Sequence, residues 1–228
     1  MHLSSVLKNF YIEAHRLSYR PNLFTNIPKP LTRRTIMKKN LIAGVVGGVI
    51  LFVWSFLAWV VLPLHESTIK AIPNEDAVMD LLQQSMTEKS VYIFPRNPGM
   101  KADQAAMEAW EQKMKRGPVG MLIYDPAGME PMMPGQMVVG FILDILSAFI
   151  AAWFLARSTA MASSYVARVA YCGMLGIFVS VFSHLMNWNW MGFPTDFTIG
   201  LVVDSIISWI LAGLAIAAFV KAPTTQLA

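Results

Sequence analysis

Four stretches of consecutive apolar residues, each long enough to cross a lipid bilayer, limit what this chain can fold into more than any other feature. They cover residues 41–63, 136–156, 165–187 and 197–220. A hydrocarbon core of ~30 Å takes ~20 helical residues. Within it every backbone N–H and C=O must be paired inside the protein, so a helix is the natural solution. The period-2 alternation of barrel strands is absent. Composition agrees, with 55% of residues hydrophobic and only 14% charged and a mean hydropathy of +0.49. The expected fold is therefore mostly α, a four-helix transmembrane bundle with a small α+β extracytoplasmic domain between the first and second helices.

The side each loop faces is read from the distribution of charge. Residues 1–40 carry eight Lys or Arg against one acid, Glu13, while residues 64–135 carry seven basic and ten acidic residues. Arg157 opens the loop after the second span, and Lys221 follows the fourth. By the positive-inside rule both termini face the cytoplasm and the long loop does not. The basic N-terminus sits where topology signals sit, and no recognition fold accompanies it, so nucleic acid is not an expected partner. The bilayer is. A bacterial cytoplasmic (inner) membrane is the expected location.

Residues 1–36 read as a basic, poorly ordered extension broken by Pro21, Pro28 and Pro30, ahead of a Met37-Lys38-Lys39-Asn40 start. The alternative is an organellar transit peptide carrying Lys8, Arg16, Arg20, Arg33 and Arg34, which would place the chain in the mitochondrial inner membrane. The first span is too long for a cleaved signal peptide and is expected to remain as an anchor. The lone Cys172 falls in the third span, which excludes an internal disulfide and Cys-based metal motifs.

The loop domain has its own signals. Asn74 with Glu75 and Asp76 predicts a helix N-cap, with Val78, Leu81 and Leu82 as its apolar face. Residues 90–94 predict a strand ended by Pro95, residues 102–116 a second helix stopped by Gly117-Pro118, and residues 119–124 a second strand closed by an Asp125-Pro126-Ala127-Gly128 turn. Some seventy residues make only a marginal core. The domain is expected to lean on the span ends, on a second copy or on a membrane-protein partner.

The candidate site lies inside the membrane. Span two read against span four at an offset of 60 residues aligns Gly140 with Gly200 and Asp144 with Asp204, which predicts two related helical hairpins. An intramembrane carboxylate costs ~3 kcal/mol on insertion scales, and one that is kept is a functional candidate. Small-residue stripes predict that Asp144, Asp204, His184, Ser55, Ser147 and Ser208 point into the bundle, where they would bind an ion or ligand or fix helix register. Arg168 reads as a snorkelling anchor. Trp54, Trp59, Trp153 and Trp188-Asn189-Trp190 read as interfacial belts. His65 and Glu66 are weak candidates for a metal at the outer rim, and Met129, Met132 and Met133 for soft ligation or plain packing. No P-loop, nucleophile elbow, HExxH or GxGxxG is present, so no enzyme activity, cofactor or dedicated metal centre is expected.

Gly140-Phe141-Ile142-Leu143-Asp144, Trp188-Asn189-Trp190-Met191-Gly192-Phe193-Pro194 and Trp209-Ile210-Leu211-Ala212-Gly213 resemble segments of a group of four-span bacterial inner-membrane proteins without assigned activity. The resemblance runs from about residue 37 to the C-terminus. It implies location and topology and transfers no functional residue. The expected function is a non-enzymatic scaffold or envelope-interaction and sensing protein. The alternative is a small transporter or ion-coupled carrier using Asp144, Asp204 and His184.

Overall fold

The computed structural model describes residues 33–62, 64–131, 133–158 and 160–221. Most of the N-terminal extension, Pro63, Met132 and the last residues lie outside that set. The fold is 69% helical with one two-stranded sheet. Helix α1 (Arg33–Phe56) continues through a π-helical stretch, Leu57–Val61. After a short 3-10 turn come α2 (Glu75–Ser85), β1 (Ser90–Phe94), α3 (Gln104–Arg116) and β2 (Gly120–Tyr124). Then follow α4 (Pro134–Leu155), α5 (Tyr165–Val179) with a π-helical extension Ser180–Leu185, α6 (Met186–Met191) and α7 (Thr195–Phe219). Four segments are long and apolar enough to cross a membrane: Met37–Val61, Pro134–Leu155, Tyr165–Met191 and Thr195–Phe219.

Several ends differ from expectation for local reasons. The first span stops at Val61 because Leu62, the residue before Pro63, is driven to extended backbone (φ −96°, ψ 133°). The third runs past residue 187 to Met191, where Gly192 takes a left-handed φ of +69° and ends the helix. Asn74 itself is left-handed and its side chain makes no capping bond, so the predicted cap does not form, and its carbonyl accepts only the ordinary first helical bond from the Val78 N–H. Helix α3 starts at Gln104, not 102, because the Asp103 carboxylate accepts from the Ala106 N–H at 2.8 Å and caps it.

The spans pack as two hairpins, α1 with α4 and α5 with α7, joined chiefly where α1 meets α7. Glycines make the close approaches. A Cβ on Gly48 would fall on the backbone of Ile145, and one on Gly44 would stand 2.8 Å from the Phe149 Cα. On the other hairpin, a Cβ on Gly176 would be 2.8 Å from the Ser205 carbonyl oxygen. Backbones that approach this closely gain dispersion contacts that lipid tails cannot match. The shared core gathers Ala148, Ala152 and Leu155 of α4 with Cys172, Ala212 and Ile216. All lie in the half of the spans away from the loop domain. On the domain side α4 keeps its contact with α1, where the Phe52 and Phe141 rings meet edge to face at 5.3 Å, while nothing lies within 4 Å of a Cβ placed on Gly140. The tight core shared by the two hairpins is thus gathered at the closed end, away from the loop domain.

At the closed end Arg168 is more than a snorkelling anchor. Its Nε donates to the Ala217 carbonyl (2.9 Å), one that the end of α7 leaves without a helical partner, and Nη1 donates to the Ala162 carbonyl of the loop before α5 (2.9 Å).

Candidate functional site

Asp204 of α7 is where the structure concentrates its intramembrane polar groups. Its Oδ1 accepts from the Trp54 indole N–H of α1 at 2.6 Å and lies 3.5 Å from the Ser208 hydroxyl. Ser208 is held in place by donating to the Asp204 main-chain carbonyl at 2.8 Å. The second carboxylate oxygen, Oδ2, is 3.4 Å from Nε2 of His65. His65 leaves α1 at the root of the loop domain and turns back into the protein, where its side chain is only 3% exposed. Its ring stacks on Trp59 of the π-helical turn, with centroids 4.0 Å apart and 17° between planes. Nδ1 would stand 3.3 Å from a Cβ on Gly200, so the missing side chain there admits the imidazole.

His65 meets Asp204 by proximity and not through a hydrogen bond. Neither ring nitrogen meets hydrogen-bond criteria among the described residues, although Nε2 faces Oδ2. A buried acid tied to a buried base by proximity, and to an indole by a direct bond, links three parts of the chain: α1, α7 and the start of the loop.

One step round α7 from Asp204, Nε2 of His184 is 2.8 Å from the Ser205 Oγ. His184 lies in the π-helical stretch of the third span. There the buried Ser180 hydroxyl donates to the Gly176 carbonyl at 2.8 Å. π-Helical insertions often mark functional positions in membrane helices. Both such stretches flank Asp204, one bearing Trp59 and the other His184.

The remaining expected site residues do not join this cluster. Asp144 is partly buried on α4, and no hydrogen bond or ion pair of its carboxylate is found among the described residues. Ser55 and Ser147, expected to point inward, are exposed at the chain's own surface. On α4 the buried stripe is Ala148, Ala151, Ala152 and Leu155, so Ser147 is turned off it by one residue. Glu66 is exposed and parts from the buried His65. Among the described residues no group of three His, Cys, Asp or Glu side chains is placed to hold a metal. Met129 and Met133 are exposed, and Met132 lies outside the described residues.

Sequence reasoning missed two participants, Trp54 and Ser205, and placed a third, His65, at the outer rim. Trp54 reads as a belt residue, yet it lies ~10 Å of helix from Val61, deeper than an interfacial indole needs to be. That depth is the signal that could have found it. Ser205 adjoins Asp204, one step round the helix. The inward turn of His65 has no sequence signal, because it depends on a cavity opposite a glycine of another span.

The loop domain supplies a second surface. Between residues 66 and 133 no described residue is buried. Trp110 Nε1 donates to the Pro95 carbonyl at 3.2 Å, which ties α3 to the end of β1. The strands pair antiparallel, with Ser90 opposite Tyr124 and Phe94 opposite Gly120. Lys89 and Asp125 close the sheet at one end with a 2.7 Å ion pair. This bond and the Ala127 N–H hold the Asp125 carboxyl below the usual carboxylate range.

Compared with known proteins, the chain matches no family model, no curated protein and no solved structure. The functional reading therefore rests on the geometry.

Proposed function

We propose that the chain is a non-enzymatic membrane scaffold whose loop domain docks on a partner. In this reading it resides in the bacterial cytoplasmic membrane with both termini inside and the loop domain outside, as the charge asymmetry favours. The observation that carries the reading is a domain without a core: two helices and a hairpin with no buried residue between 66 and 133 among those described. A two-stranded sheet is at best marginally stable in water. A domain this open gains its stability from what it binds.

The Asp204 cluster fits a structural role in such a protein. Its carboxylate is engaged within the chain by Trp54 and faced by His65, and His65 is the root of the domain. The cluster would fix how the domain leaves the membrane.

A photo-crosslinking residue placed at the exposed Ile123, with one at the exposed Gln112 of α3 as control, tests the reading in native membranes. Adducts from position 123 alone are expected. Equal or absent labelling at both positions would mean that the sheet does not dock.

One observation favours the carrier alternative. Asp144 has no partner among the described residues, and a Cβ on Gly140, one turn before it, would meet nothing within 4 Å. In that reading Asp144→Asn would abolish substrate or ion flux in proteoliposomes without changing expression. Unchanged flux in that variant would remove its support.

A further inference from the structure

The register of the hairpin sorts its side chains onto two faces. Val91 stands beside Ile123 and Ile93 beside Met121. Because side chains alternate along a strand, these four share one face, and Val119, Lys89 and Asp125 extend it at either end. The five apolar residues are 54% (Val91), 58% (Ile93), 57% (Val119), 36% (Met121) and 78% (Ile123) exposed. The opposite face carries Tyr92, Leu122 and Tyr124, all partly covered, with the two tyrosine rings edge to face at 6.2 Å.

We propose that the Val91–Ile93–Met121–Ile123 face packs on the same face of a second copy of this chain, giving a two-layer, four-stranded sandwich about a two-fold axis along the membrane normal. This rests on the reading that the loop domain docks, and it names the partner.

Shape, charge and area each favour a second copy. The face is built from side chains of similar length with no aromatic projection, so it is nearly flat and fits its own image, as an isologous contact requires. Its charged end is self-complementary. Lys89 and Asp125 lie side by side, and a two-fold pair can lay each lysine over the other copy's aspartate. The apolar area is small, on the order of 500 Å² per copy or ~1,000 Å² for the pair, which is the floor for a specific interface. A soluble partner would bind weakly at that floor. A second copy arrives already tethered at the same height by both ends of its loop, and the resulting effective concentration makes a small face sufficient. The contact also covers the exposed aliphatic face of a two-stranded sheet, the arrangement that makes sheet sandwiches stable.

The experiment uses the full chain, with Cys172→Ser, reconstituted in lipid bilayers. Ile123→Cys should form a covalent dimer with a short bismaleimide, whose span matches sheets packed ~10 Å apart, at least tenfold faster than Gln112→Cys. Ile93→Asp should lower the dimer fraction at least tenfold in single-molecule counting while leaving the thermal unfolding of the spans unchanged. If Ile123→Cys crosslinks no faster than Gln112→Cys and the protein is monomeric in nanodiscs, the proposal is wrong. A crosslink from position 123 to a different protein in native membranes, together with that result, would retain the docking domain and reject the second copy. Loss of both signals would reject both.

Discussion

Asp204 lies about 13 Å of helix from Thr195, deep enough that an unpartnered carboxylate there would be costly. Trp54 removes much of that cost with one N–H. Trp54→Phe keeps the packing and deletes the donor, leaving a buried oxygen short of a partner, so it should lower stability by about 1–3 kcal/mol. Asp204→Asn in the same background should restore part of the loss, because the pair acts as a unit. A double-mutant cycle on thermal unfolding in detergent should give a coupling of about 0.5–3 kcal/mol, whereas additive losses would show that the bond is incidental. Asp125 offers a prediction with a sign. Its carboxyl is held below 3.8 by Lys89 and the Ala127 N–H. A depressed folded value contributes stability that is present above the unfolded value and lost as pH falls through the folded one. Carbon-detected NMR titration should therefore place Asp125 below the other carboxylates of the loop. Lys89→Met should move it up, and an unchanged midpoint would mean that the ion pair does not form in solution.

At the scale of elements, the two hairpins differ despite their sequence echo. Gly200 meets the His65 ring, while its counterpart Gly140 meets nothing within 4 Å. Asp204 is bonded by Trp54, and Asp144 by no described residue. The cause is that α1 sends Trp54 and His65 toward α7, and no element does the same for α4. Gly48 and Gly140 should accordingly respond in opposite ways. Gly48→Val forces a side chain onto the Ile145 backbone and should cost about 1–3 kcal/mol. Gly140→Ala should be neutral or slightly stabilising through helix propensity. Thermal unfolding of the two variants decides the point, and equal effects would contradict the open space beside Gly140.

For the molecule as a whole, the proposed orientation puts Ser90 and Ser158 on opposite sides of the membrane. In a Cys172→Ser background, an impermeant thiol reagent should label Ser90→Cys only from outside and Ser158→Cys only from inside. Labelling of both from one side would overturn the orientation while leaving the four helices intact.

The helices and strands were legible in the sequence because they are local. Apolar runs of membrane length, Pro and Gly stops, and strand residues between turns placed every described span and both strands to within a few residues. Ends moved where local backbone chemistry competed, as at the Asp103 cap, at Leu62 before Pro63 and at Gly192. Asp144 and Asp204 stood out because a charge in hydrocarbon is expensive wherever it occurs. Which helices touch, and therefore which acid finds a partner, is set by glycines that let particular backbones meet. Ser55 and Ser147 looked inward on a helical wheel and are exposed, because a wheel gives a face without saying which neighbour occupies it. His65 turned from a rim residue into a buried base for the same reason. The chain alone specified four helices and two carboxylates in lipid, and only the tertiary packing decided that one would be bonded and the other left open, since that choice depends on contacts about 150 residues apart.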